Sequence, residues 1–352
     1  MGTSARPVAR LARWFELTNH DPRRHVEADA CKGRAGRRRR QRCSIRGTGS
    51  FADLRAGTAL NSTEFSNVPG QSTSVGQVMG DVGTIRSDLV AEGWVLDGLV
   101  ATLEPEAWST PTPSPGWTVA DQIGHLAAVD WRGALAISNP EQFVAEAKAL
   151  MKQVGETGDD SFMLEEPRAM SPAQLLDWWR RGRQELVDAS MGLDGDSRLA
   201  WYGPPMGAQS FLTARLMETW AHGRDVADAF GVVIDPTPRL RHIAHLGVIT
   251  RSFVYKNRGL EPPEGDIRVE LTGPGDTISA WGPPDADQAV QGPIEDFCLV
   301  VTQRRNVADT GLELTGDLAT DWMSKAQAFA GPPTNGPVPT NYGAEGADGD
   351  RG

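Results

Sequence analysis

Cysteine is scarce in this chain: three residues among 352, Cys31, Cys43 and Cys298, scattered and with no CxxC pair. A disulfide framework is thereby excluded, and a reducing cytoplasm is the expected setting. Long apolar runs are missing as well. None approaches the roughly 20 residues needed to span a bilayer, so no membrane partner is expected. The N-terminal region lacks the apolar core of about 7–15 residues that a secretory signal requires, and Glu16, Asp21, Glu27 and Asp29 are out of place in a mitochondrial-type presequence. Beyond residue 46 positive charge is outnumbered by negative. Residues 1–46 hold thirteen Lys and Arg against four Asp and Glu, so a formal net charge of −11 leaves the rest near −20. An acidic body offers no footprint for nucleic acid, because duplex binding needs clustered cations to displace phosphate counterions. Internal repeats are absent too.

What is present is an ordinary globular composition, 39% hydrophobic and 23% charged, in a chain longer than the roughly 100–200 residues of one domain. Residues 1–78 carry the basic run Arg37 to Arg40 and no sustained apolar period. They read as a disordered basic extension, either a targeting tail or sequence upstream of a natural start at Met79.

Helical spacing begins at Asp81 with Ile85, Leu89, Leu96, Val100 and Leu103. A Pro-rich loop from Trp108 to Trp117 follows. Thr118 and Asp121 then form a capping-box start for a second helix toward Ile137, and Ser171–Pro172 open a third. A fourth runs from about Ala208 to Phe230, with Gly231 as its stop. A fifth is expected over 236–258. From Ile267, Val269 and Leu271 the period changes to two. Thr277–Trp281 and Leu312–Leu314 read as further strands, and helices fit Pro293–Arg304 and Leu318–Phe329. The expected class is α + (α+β): a helical bundle at 79–260, a small α+β domain at 264–331, and a disordered Gly/Pro/Asp-rich tail at 332–352.

Glu218 and His222 stand four apart on the fourth helix, so both leave one face, a turn apart. Alone, such a pair is often an exposed helical contact without function, and His125 on the second helix could be a core histidine bonded to a carbonyl. The context favours a metal: His125 lies between Ile123 and Leu126, and Met217 and Trp220 flank the pair. Ionisable groups on buried faces are costly unless paired or metal-bound. Imidazole and carboxylate together suit zinc or another divalent first-row ion, and three protein ligands leave positions open. His242 and His245, three apart on the fifth helix, read as a solvated pair or as additions to that site. Asp225 reads either as an orienter of a ligand imidazole or as a surface residue. Cys298, in an apolar stretch, reads as buried and inert.

Two stretches carry a resemblance: TrpSerThrProThrProSerProGlyTrpThrValAlaAspGlnIleGlyHisLeu at 108–126, and GluThrTrpAlaHisGlyArgAspValAlaAspAla at 218–229. They resemble the mycothiol-dependent maleylpyruvate isomerase family, within its metal-binding subgroup of unassigned activity. The resemblance implies a DinB-like four-helix metal domain followed by a sterol-carrier-like α+β domain. It implies zinc on His125, Glu218 and His222, mycothiol as a low-molecular-weight thiol cosubstrate, and a small unsaturated or electrophilic acid as substrate. The thiol would add to a double bond, allow rotation and leave. An arginine from the second domain would meet the substrate carboxylate. Arg304 and Arg305 are the candidates, with solvated residues at a helix end as the other reading. A non-catalytic metal- or ligand-binding module is the alternative to an enzyme.

Overall fold

The computed structural model describes residues 80–157, 164–202 and 205–340. The basic extension, the Met79 start, Cys31 and Cys43 lie outside them, as does the tail from residue 341. All described residues belong to one compact unit.

Four long helices make the bundle: α1 (Val82–Val100), α2 (Val119–Ser138), α5 (Pro172–Ser190) and α6 (Ala208–Ala229). Their ends follow local chemistry. Asp81 accepts from the Thr84 backbone to cap α1, and Thr118 with Asp121 forms the full capping box of α2. Ser171 and Gln174 do the same for α5. Helix α6 closes on a Schellman turn. Gly231 takes φ +63°, its N–H donates to Asp228 O, and Val232 N–H reaches back to Ala227 O.

Helix α1 packs on α6, and α2 packs on both α5 and α6. The core between α1, α2 and α5 is apolar: Leu96, Ile123, Leu126, Leu175 and Trp179 are almost fully buried. Burying side chains of this size contributes about 1.5–3 kcal/mol each. Two further helices fall within the bundle, α3 (Pro140–Thr157) against α2 and the short α4 (Glu165–Arg168). Strands β1 (Arg198–Leu199) and β2 (Met206–Gly207) form a small antiparallel pair before α6.

The expected fifth helix is two. Helix α7 (Leu240–Ile249) and α8 (Arg251–Asn257) meet at Thr250, whose hydroxyl donates to the carbonyls of Leu246 and Gly247. A threonine bonding back into the preceding turn competes with the backbone ladder and bends the helix.

A four-stranded sheet follows in the order β4-β3-β5-β6. Its strands are β3 (Arg268–Gly273), β4 (Thr277–Trp281), β5 (Ala289–Pro293) and β6 (Glu313–Thr315). β3 runs antiparallel to β4 and parallel to β5, with Val269 opposite both Trp281 and Val290; β5 and β6 are antiparallel. Val269, Leu271 and Val290 face the core, where α9 (Ile294–Val301) covers the sheet and also packs on α7. The apolar core therefore continues from α6 through α7 into the sheet.

The helix expected over 293–304 stops at Val301. Gln303 takes φ +60°, and its N–H and that of Arg304 donate to Val300 O and Leu299 O. This is a Schellman turn built on a non-glycine residue, held by Gln303 Nε2 donating to the carbonyls of Ala326 and Thr334. The last helix, α10 (Asp317–Met323), is likewise shorter than the expected 318–329. Residues 332–340 run as coil, tied by Asn306 Nδ2 to Pro337 O at 2.9 Å and by Thr340 N to Asp309.

Candidate metal centre

Helix α6 carries Glu218, His222 and Asp225 on successive turns, and α2 lays His125 and Gln122 against them. His125 Nε2 lies 3.5 Å and His222 Nε2 3.2 Å from the same atom, Glu218 Oε2. The ligand atoms of these three residues fall within 4.8 Å of one another, and among the described residues they are the group of His, Cys, Asp and Glu that could hold an ion. Trp117 roofs the pair, stacked on His222 at 5.8 Å between ring centroids and tilted on His125 at 5.5 Å.

The His222 ring is held from behind by a residue that sequence reasoning passed over. Gln122, fully buried, accepts at Oε1 from His222 Nδ1 and donates from Nε2 to Thr112 Oγ1 at 2.8 Å. Thr112 in turn donates its hydroxyl hydrogen to Trp117 O. Thr112 can then only accept from Gln122, which turns the amide so that its oxygen faces His222. The hydrogen of the neutral imidazole is therefore on Nδ1, leaving the Nε2 lone pair toward Glu218. The signal was the spacing: Gln122 stands one turn before His125, on a face already marked as buried.

Asp225 does not orient that ring by a hydrogen bond, since it lies 3.9 Å from His222 Nδ1. It accepts instead from Ser114 Oγ at 2.9 Å and from Arg304, with Nη2 at 2.7 Å and Nε at 3.3 Å. Only 2% exposed, Asp225 is no surface residue either. Arg305 pairs with Asp228 at 2.8 Å, further along α6. The Gln303 turn thus presents both arginines to α6, Arg304 largely buried and Arg305 still partly in solvent. His242 and His245 join neither the centre nor the solvent. His242 is wholly buried against Asp88 at 2.8 Å, and His245 Nδ1 accepts from Trp281 Nε1.

Burial alone would push the Glu218 carboxyl up. Its contacts with His125 and His222, together with the charge of Arg215, outweigh it and hold the group well below the usual carboxylate range. Burial pulls His222 down to about 4 against the Glu218 hydrogen bond, with the charges of His125 and Arg304 acting the same way. His245 is also lowered to about 4, by burial and then by the charge of His242.

Both histidines have folded values below the unfolded 6.5. Below that pH the unfolded chain takes up protons at these positions while the folded chain does not until about 4. Stability of the metal-free protein is therefore expected to fall as pH drops through this window. Urea midpoints recorded from about pH 7 to about pH 4.5, wild type beside His245→Gln, check this. The variant should show the shallower loss.

A helical bundle with a His–Glu–His cluster across two of its helices, backed by a small α+β layer, defines the class of protein. Comparison with known proteins carries it further. Residues 89–227 match the model of the mycothiol maleylpyruvate isomerase N-terminal domain. The chain is 46% identical over 258 residues to uncharacterized protein Rv0036c of Mycobacterium tuberculosis (strain ATCC 25618 / H37Rv), covering 73% of this chain and all of that one. Protein MT0041 of strain CDC 1551 / Oshkosh matches to the same extent. The chain belongs to one family with these two proteins, and its residues 89–227 form a mycothiol maleylpyruvate isomerase N-terminal domain. A crystal structure of the mycothiol-dependent maleylpyruvate isomerase aligns with a TM-score of 0.44 at 16% identity, over 63% of this chain and 89% of that one. Among the described residues, no helix is long and apolar enough to cross a membrane.

Proposed function

We propose that His125, Glu218 and His222 hold one divalent metal ion, zinc by the chemistry of the donors, and that the protein uses it with mycothiol on a small electrophilic or unsaturated acid. The observation carrying this is the convergence of two Nε2 atoms and a carboxylate oxygen from two helices within 4.8 Å. The donor set fits the ion: the His222 imidazole is held neutral and the Glu218 carboxylate ionised, the protonation states a metal requires of such ligands. A divalent ion with open positions would lower the pKa of a bound thiol and ready it for attack.

The chain's own residues do the rest. Gln122 fixes the tautomer of His222, and Trp117 shields the imidazoles on one side. Cys298 is not the thiol. It is fully buried, and burial pushes its pKa well above the ordinary value. The nucleophile is read as an external low-molecular-weight thiol, the kind of group for which the matched isomerase domain is named. Adding its sulfur to one alkene carbon and a proton to the other leaves a single bond free to rotate. Loss of the same two groups returns the thiol and the isomerised acid.

Elemental analysis of the purified protein, followed by mycothiol with unsaturated diacids, tests the reading. About one zinc per chain and thiol-dependent isomerisation are expected, and a folded protein that takes up no zinc on loading sinks it. Gln122→Leu keeps the side-chain volume and removes the acceptor for His222 Nδ1. It should weaken zinc binding by about 10–100-fold with the helical signal intact, read by competition with a chromogenic chelator.

A further inference from the structure

Arg215 stands one turn before Glu218 on α6 and is only 7% exposed. Its guanidinium carbon lies over the Trp201 ring, 5.3 Å from the centroid. Its Nη1 is buried and has no hydrogen-bond partner among the described residues. No carboxylate there comes within the 4.0 Å of an ion pair with it. Asp130 on α2 and Glu218 on its own helix act on Arg215 only through space. The Tyr202 ring stands edge-on to the same Trp201 at 4.9 Å, and its hydroxyl is buried and also without a partner among the described residues.

Leaving a buried cation unpaired is costly, and an aromatic face returns only part of that cost. The free protein therefore carries an unmet demand for an anion. Arg304 and Arg305 make no such demand, since each is already engaged by a carboxylate of α6. Three residues along a helix bring Arg215 onto the face of Glu218, and its charge is felt by the Glu218 carboxyl.

We propose that Arg215, with the Tyr202 hydroxyl, forms an anion subsite beside the His125–Glu218–His222 centre and takes a carboxylate of the substrate. The inference rests on the reading of a small acid as substrate. Planar guanidinium donors match the two oxygens of a carboxylate, so specificity for the acid would come from the metal helix itself.

The test uses maleate, a dicarboxylate, titrated calorimetrically at low salt into the zinc-loaded full-length protein, and followed in parallel by thermal melting. Wild type is expected to bind maleate and to melt higher with it. Arg215→Met keeps the apolar stem. It should bind maleate about 10–100-fold more weakly, retain zinc, and melt higher than wild type when neither carries maleate, because an unpaired buried charge has gone. Arg215→Gln serves as a second variant should the first fail to fold, with the same expected loss. Dimethyl maleate, which lacks the charges, should not raise the melting temperature. Maleate binding unchanged in both variants, or no binding by wild type with or without zinc, overturns the proposal. Zinc content read on the same samples keeps the two readings apart: failure of the metal centre appears as missing zinc in the wild type, whatever maleate does.

Discussion

His222→Ala is expected to take bound zinc from about one equivalent to none while the bundle stays folded. The variant leaves His125 and Glu218 on opposite helices, and two ligands without the third do not make a closed enough set to compete with water for a divalent ion. Folding does not depend on the triad, because Leu96, Ile123, Leu126, Leu175 and Trp179 bury an apolar core apart from it. In the metal-free state the substitution removes a histidine that burial disfavours in its charged form. Its cost should therefore be that of a vacated side chain, about 1–2 kcal/mol. Elemental analysis and far-ultraviolet dichroism on the same preparation decide the matter. Retained zinc would show that the ion sits elsewhere, and lost helicity would mark it as structural.

Asp225→Ala should be among the most destabilising single changes in the protein, at about 3–5 kcal/mol, because it strands the partly buried Arg304 guanidinium without its partner. For a unit of this size, that is about 6–20 °C in Tm. The Ser114 hydroxyl loses its acceptor as well, which loosens the loop carrying Trp117. Replacing both members, Asp225→Leu with Arg304→Met, should recover most of the loss, since an apolar pair avoids the desolvation of two charges. A double-mutant cycle in urea reads the coupling directly. An additive result would mean the pair contributes nothing beyond its separate groups.

Much of this was legible in the chain itself. Asp81, Thr118 and Ser171 announced helix starts that the structure keeps, and Gly231 announced the stop of α6. The i, i+4 spacing of Glu218 and His222 is a local property, readable without a fold. Helix α3 went unread although Phe143, Val144, Ala147, Leu150, Met151 and Val154 recur at helical spacing, because it follows α2 directly at Asn139–Pro140 with no loop to mark a new element. Strand β5 escaped for a different reason. Five residues, AlaValGlnGlyPro, hold one fully buried side chain, and their pairing with β3 is parallel and non-local. The groups that hold the centre in place were the hardest to see. Gln122 meets His222 across 100 residues, and Arg304 meets Asp225 across 79. Such partners are set by how helices pack, which spacing along one helix does not encode.

The Gln303 turn has an effect that crosses the sequence boundary between bundle and sheet. Arg304 and Arg305 neutralise Asp225 and Asp228, two of the three acidic residues on the helix that carries Glu218 and His222. A fragment ending before residue 264 would keep every proposed metal ligand yet lose both counter-charges, and α6 would present three carboxylates within three turns. Like charges that close repel, so such a fragment would hold its cation partly as a neutralising counterion, and its affinity would fall steeply with added salt. The C-terminal layer thus acts as the helix's internal electrolyte, setting the charge of the centre from a part of the chain that supplies none of its ligands.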